Sequence, residues 1–256
     1  MAGADSVIED DERQMIHSVF ELGDTIAREV MVPRTEMVWI EAHKTLRQAM
    51  SLGLRSGYSR IPVVGEGIDD IVGVVFVKDI ARRVFEHQES QTTERVSDLM
   101  RPAFMVPDSR SVDELLRDMQ SARTHLAVLV DEYGGTAGLV TIEDVIEEIV
   151  GEISDEHDVL GPEVEELANG EYRVSSRLNI DDLAELLEIE ILDDGVDTVG
   201  GLMAKRLGIV PIPGATVDIE SWTLTAESTA GRRHRIDTVV ISRDSFIDEA
   251  EAESDD

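Results

Sequence analysis

Thr141-Ile-Glu-Asp144 is the stretch of this chain best suited to chemistry. It leaves a strand-like apolar run and opens an amphipathic helix. Such a junction presents unpaired backbone N–H groups and the positive end of a helix dipole, which together suit a phosphate. The Asp144 carboxylate is placed so that it could accept the two hydroxyls of a ribose. The plain alternative is a capping box, in which both side chains satisfy only the helix's own backbone. Tyr58-Ser59-Arg60, at the start of another apolar strand, supplies hydroxyls and a guanidinium suited to phosphate oxygens. For Arg60 the plain alternative is a surface ion pair.

The elements that position these residues occur twice. Gly73-Val-Val-Phe-Val-Lys-Asp79 recurs as Gly138-Leu-Val-Thr-Ile-Glu-Asp144, sixty-five positions on. Ser59-Arg-Ile-Pro-Val-Val64 precedes the first copy and Thr124-His-Leu-Ala-Val-Leu-Val130 the second; upstream, Met31-Val-Pro33 recurs as Met100-Arg-Pro102. Repetition at this period marks two copies of one supersecondary unit, neither able to bury its apolar face alone. Each copy reads as strand–helix–strand–strand–helix. In the first, strands are expected at 36–40, 59–64 and 71–77, with helices at 44–54 and 79–86. In the second, strands fall at 104–106, 125–130 and 137–140, with helices at 112–119 and 142–153 and a Gly-containing hairpin turn at 131–135. Phe76 stands where the second copy has Thr141, so the pair should hold two quasi-equivalent clefts of which one keeps the full polar set.

Residues 5–30 carry a helical apolar stripe of Ile16, Val19 and Phe20 that breaks at Gly23. Beyond an acidic linker the pattern changes to a small α+β unit. It has a strand at 171–175, a helix capped by Asn179, a helix from Asp197 to Leu207 ended by Gly208, and strands at 217–226 and 234–241. The boundaries follow as 1–27 for the N-terminal helical segment, 28–90 and 91–153 for the repeats, 154–165 for the linker, 166–244 for the last domain and 245–256 for a disordered acidic tail.

A formal net charge of −32 repels phosphate backbones and anionic headgroups, so nucleic acid is not an expected partner. Zero cysteines exclude disulfides and thiolate metal sites. Neither a secretory signal nor a run of roughly 18 apolar residues is visible, which suggests a cytoplasmic chain. The acidic run from Glu143 through Asp158 could bridge Mg²⁺ between subunits, or simply form a solvated face. The six histidines lack metal-ligand spacing. Hydrolysis of a nucleotide held among Asp79, Asp144 and Arg60 is a second reading, although no nucleophile–base pair can be traced. A third is a ligand-free interaction module.

Taken together, these motifs resemble tandem CBS domains, whose Gly-x-x-Thr-x-x-Asp signature is matched by Gly138 through Asp144. They are similar in more detail to the CorC and cyclin-M (CNNM) magnesium transporter group. Arg28-Glu-Val-Met-Val-Pro-Arg-Thr35, Ser56-Gly-Tyr-Ser-Arg-Ile-Pro-Val63, Val77-Lys-Asp79 and the helix opening at Thr141 carry that likeness. Val196-Asp-Thr-Val-Gly-Gly-Leu202 resembles the group's transporter-associated (CorC/HlyC) domain. The resemblance implies a CBS pair that binds ATP with Mg²⁺ in one cleft and dimerises into a disc. It implies phosphate contacts from Tyr58, Ser59, Arg60 and Thr141, with Ile61, Pro62 and Ile142 lining the site. Asp144 would hold the ribose, and the Val32 backbone would line the adenine. It also implies a flavin-adenine-dinucleotide-like C-terminal domain and a regulatory, non-enzymatic role in divalent-cation efflux. It implies that the chain is either the cytoplasmic part of a longer transporter, at the inner face of the cell membrane, or a stand-alone soluble member.

Overall fold

The computed structural model describes residues 10–151, 163–191, 195–230 and 235–243. They form two compact units. Residues up to Gly53 and from Ser59 through the second repeat make the first; the C-terminal part of the chain, grouped with Leu54–Tyr58, makes the second.

In the first unit, α1 (Asp10–Glu21) and a single helical turn, α2 (Ala27–Val30), lead into a two-residue strand, β1 (Val32–Pro33). The first repeat follows as β2 (Ile40–Glu41), α3 (Leu46–Ser56), β3 (Arg60–Val64), β4 (Ile71–Phe76) and α4 (Val77–Glu86). A short helix, α5 (Ser90–Thr93), precedes the second repeat: β5 (Met105–Pro107), α6 (Val112–Ala122), β6 (Leu126–Val130), β7 (Thr136–Thr141) and α7 (Ile142–Val150). The repeat order is the expected one. The strand expected at 36–40 shrinks to Ile40–Glu41, because Arg34–Glu36 form a 3-10 turn and only the last residues reach a partner strand.

Each repeat builds a sheet with the same logic. β2 runs parallel to β3, which forms an antiparallel hairpin with β4; β5 runs parallel to β6, which forms one with β7. The pieces upstream of each repeat then exchange. β1 precedes the first repeat but pairs with β7 of the second, Val32 opposite Leu139 and Pro33 opposite Gly138. Arg101 precedes the second repeat but bridges Val74 of the first. A glycine at each crossing makes the approach possible. A Cβ on Gly138 would collide with the Val32 carbonyl oxygen, and one on Gly73 would lie 2.7 Å from the Arg101 carbonyl oxygen.

Apolar burial locks this arrangement. Val64, Ile71 and Val74 of the first sheet share one core cluster with Leu126 and Val128 of the second, flanked by half-buried Val32, Phe76 and Leu139. A second cluster joins Ala27 and Val30 to Val106, Leu115, Met119, Val140 and Val145. Full burial of side chains of this size contributes roughly 1.5–3 kcal/mol each, so neither repeat is dispensable to the other.

The second unit contains β8 (Val164–Glu166), β9 (Tyr172–Ser175), α8 (Ile180–Leu187), α9 (Val199–Leu207), β10 (Thr216–Ile219), β11 (Trp222–Ala230) and β12 (Arg235–Arg243). Its antiparallel sheet has the order β10-β11-β12-β9-β8. Leu183, Leu202, Met203, Leu224 and Ile241 are completely buried in its core. Asn179 accepts from the Asp181 N–H at 2.8 Å, as expected of a cap. The single strand expected at 217–226 is instead a hairpin, turning where Glu220 adopts φ 51°. The linker acids Asp155, Glu156 and Asp158, His157, the basic run from Arg232 to His234 and the tail from 245 lie outside the described residues.

Candidate functional site

The Thr141 junction is built from three directions. β7 delivers Thr141 in an extended conformation, and α7 begins at the next residue. The Ile142 N–H donates to the His125 carbonyl at 3.2 Å, which ties the junction to the start of β6. Val145, one turn on, is fully buried and holds α7 against its sheet. β1 lies along β7 and places the half-buried Val32 next to this strand end. Val32, Thr141, Ile142 and Asp144 are therefore brought together.

At this junction the side chains form a reciprocal cap. The Asp144 N–H donates to Thr141 Oγ1 at 3.3 Å, while the Thr141 N–H and hydroxyl both donate to Asp144 Oδ2 at 2.7 Å. The capping-box reading is thus realised. Both bonds to the carboxylate fall on the same oxygen, and both partners belong to one short segment.

The first junction is chemically different. Phe76 occupies the Thr141 position and α4 starts with no side-chain cap. The Val77 N–H still donates to the Ser59 carbonyl at 3.0 Å, the same backbone tie as in the second copy. Asp79, the counterpart of Asp144, forms an ion pair with the Arg101 guanidinium. That guanidinium lies 4.4 Å from the Phe76 ring centroid, and Arg60 and Lys78 stand at 5.7 and 5.8 Å from the same ring. Beside it, Asp79, Arg82, Arg83, Glu86, Leu99 and Arg101 line an open depression of about 330 Å³.

The expected site residues divide between these junctions. Arg60 is the cross-strand partner of Phe76, and Ile61 and Pro62 are buried on β3 opposite Val75 and Val74. Ser59 is exposed; Tyr58 is half-buried and its N–H donates to Ser56 Oγ at 3.4 Å. Their strand belongs to the first sheet, which packs on the second through the shared core cluster. Arg101 was not singled out from sequence. Its signal was available: the slot that holds Val32 before the first repeat holds arginine before the second.

Electrostatic bracing also differs. Arg83 holds Glu94 through two nitrogens at 2.5–3.0 Å, and this hydrogen bonding keeps the Glu94 carboxyl below the ordinary carboxylate range. The last turn of α7 carries no basic residue. Among the described residues, no group of three or more His, Asp or Glu is arranged to hold a metal ion.

Two intertwined strand–helix–strand–strand–helix units followed by a small α+β unit define a CBS-pair protein with an appended domain. Residues 27–86 and 96–151 match the CBS domain family, and residues 165–245 match the transporter-associated domain, CorC_HlyC. The chain belongs to the CorC family. It is 34% identical over 233 residues to the magnesium and cobalt efflux protein CorC of Escherichia coli strain K12, covering 91% of this chain and 79% of that protein. It is 57% identical over 240 residues to the UPF0053 protein Rv2366c of Mycobacterium tuberculosis, covering 92% of this chain. It spans only 55% of that mycobacterial relative's length. Among solved structures, the CBS domain of the bacterial CNNM/CorC family Mg²⁺ transporter is 44% identical, with a TM-score of 0.55 over 58% of this chain and 88% of that one. The same domain in complex with ATP is 45% identical, with a TM-score of 0.52 over 56% and 99%. Among the described residues, no helix is long and apolar enough to cross a membrane.

Proposed function

We propose that this chain is a nucleotide-responsive regulator of divalent-cation efflux, and that the Thr141 junction binds one ATP, taken up with Mg²⁺. The observation that carries this reading is the junction itself: a hydroxyl, a carboxylate and a helix start assembled beside a backbone strand from the other repeat. Thr141 and the helix N-terminus would meet phosphate. Asp144, through Oδ1, would accept the ribose hydroxyls while Oδ2 keeps the cap. Val32 would flank the adenine through its backbone, with Ile142 beside it. Tyr58, Ser59 and Arg60, with Ile61 and Pro62 fixing their strand, would extend from the first sheet to the phosphates. The ATP complex of a CBS domain 45% identical to this one supports the ligand class.

The regulatory mechanism would be differential affinity. A nucleotide bridging the two sheets favours whichever arrangement of repeats brings both sets of residues to it. The CBS pair would act as a homodimer, at the cytoplasmic face, on a membrane transport domain. Names such as that of the E. coli efflux protein support magnesium and cobalt as the ions concerned.

Calorimetric titration of ATP, with and without Mg²⁺, tests this reading. One saturable event per chain is expected, and its loss in the variant Thr141→Ala/Asp144→Ala. Absence of binding by the unaltered chain under both conditions would reduce the motif to a helix cap.

A further inference from the structure

The two junctions start from the same plan, and one of them comes with its own occupant. Met31-Val32-Pro33 crosses Gly138, and Met100-Arg101-Pro102 crosses Gly73, each through a backbone approach that a Cβ would block. The Val74 N–H donates to the Arg101 carbonyl at 2.8 Å and the Arg101 N–H to the Val74 carbonyl at 2.9 Å, so the position of residue 101 is fixed by backbone. Its side chain then extends over the Phe76 ring at 4.4 Å and ends on the Asp79 carboxylate. In the other junction the matching residue, Val32, has no group that reaches so far.

We infer that Arg101 is a specificity-determining residue that closes the first cleft by acting as an internal ligand. This rests on the reading of the Thr141 junction as a nucleotide site. A flat guanidinium stacked on a ring takes the place of a base or sugar, and its charge claims the carboxylate that would otherwise accept a diol. Two neutral hydroxyls exchange poorly against a charge-assisted bond and a cation–ring contact made together. The Asp79 side chain is only 12% exposed beneath this contact. The field is not what excludes a nucleotide here. Arg60, Lys78 and Arg101 all face Phe76, which would draw a polyphosphate towards this junction rather than away from it. Occupancy by Arg101, together with the missing hydroxyl at residue 76, is what limits the chain to one site.

The experiment is a calorimetric count of Mg²⁺-ATP bound per full-length chain in four proteins: unaltered, Phe76→Thr/Arg101→Val, Thr141→Ala/Asp144→Ala, and the combination. The inference expects the opened variant to bind one nucleotide more than its parent in both backgrounds, so the counts run one, two, none and one. Opened variants that bind no more than their parents overturn it. An unaltered chain that binds nothing overturns the reading of the Thr141 junction instead, and the opened variant then still decides this proposal by rising to one or staying at none. Should the double substitution melt below the assay temperature, Arg101→Gln keeps the side-chain volume and removes the charge. A second, at least tenfold weaker event in that variant supports the proposal; a single unchanged event overturns it.

Discussion

The two strand-to-helix junctions differ in where their helix-opening carboxylate finds its partner. Asp144 is engaged by Thr141, three residues away in the same segment. Asp79 is engaged by Arg101, which arrives from the segment leading into the other repeat. The first helix is braced from outside at its start, and again near its end by Arg83 on Glu94. The second is capped from within. A cap made of neighbouring residues can share its oxygens with a ligand without unfastening anything distant, whereas the external brace ties two repeats together. One copy thus has a bracing role, and the other keeps its polar groups at hand.

The comparison breaks most severely at the glycines where the segments cross. In Gly138→Ala the new methyl group meets the Val32 carbonyl and the Met31 side chain. The backbone must shift, at a cost of about 2–3 kcal/mol of the kind seen on overpacking. Gly73→Ala meets the Arg101 carbonyl and Met100 and should cost a similar amount. Denaturant melts should show both losses. Nucleotide affinity separates them: Gly138→Ala moves Val32 off the binding junction and should weaken binding about tenfold or more, while Gly73→Ala, which meets the Arg101 segment instead, should weaken it less. Equal losses of affinity would mean that the two junctions act as one.

Thr141→Val is smaller and sharper. It keeps the shape and removes the hydroxyl that accepts from the Asp144 N–H. Loss of an N-cap of this type costs about 1 kcal/mol. The first junction already lives without such a cap, which is why the effect should be confined to α7: amide exchange should rise over Ile142–Val150 and stay unchanged over Val77–Glu86. Exchange rising equally in both helices would contradict the division of roles drawn here.

Much of this was legible in the sequence, and the failures have a common cause. The repeat, the order of its elements, the Gly138-to-Asp144 signature and the Asn179 cap all depend on local spacing, and all are found. The exchange of β1 and the Arg101 segment between sheets is a pairing across more than a hundred residues for Val32 and Leu139, and no local periodicity encodes it. The hairpin at Glu220 was missed because no Gly, Asn or Pro marks its turn, although the apolar alternation slips by one residue between Ile219 and Trp222. Arg101 escaped for a third reason. In a sequence an arginine reads as a surface charge, and only the backbone bridge to Val74 shows that its side chain starts beside Phe76.

The smallest expected effect concerns the outer brace of the first repeat. Arg83 lowers the Glu94 carboxyl from its ordinary value of 4.5, chiefly by hydrogen bonding and secondarily by charge. A carboxyl whose pKa is depressed on folding contributes stability above its unfolded value, and that contribution disappears as pH falls through the lower folded value. Glu94→Gln should therefore lower the melting midpoint slightly at neutral pH, and its melting curve should converge on that of the unaltered chain as the medium is acidified below 4.5. Because the pair is partly exposed, added salt should shrink the neutral-pH difference as well. A difference that survives both acid and salt would make the brace one of shape rather than charge. In that case Arg101 on Asp79, a pair of the same chemistry at the other end of α4, should likewise keep its contribution in acid and in salt.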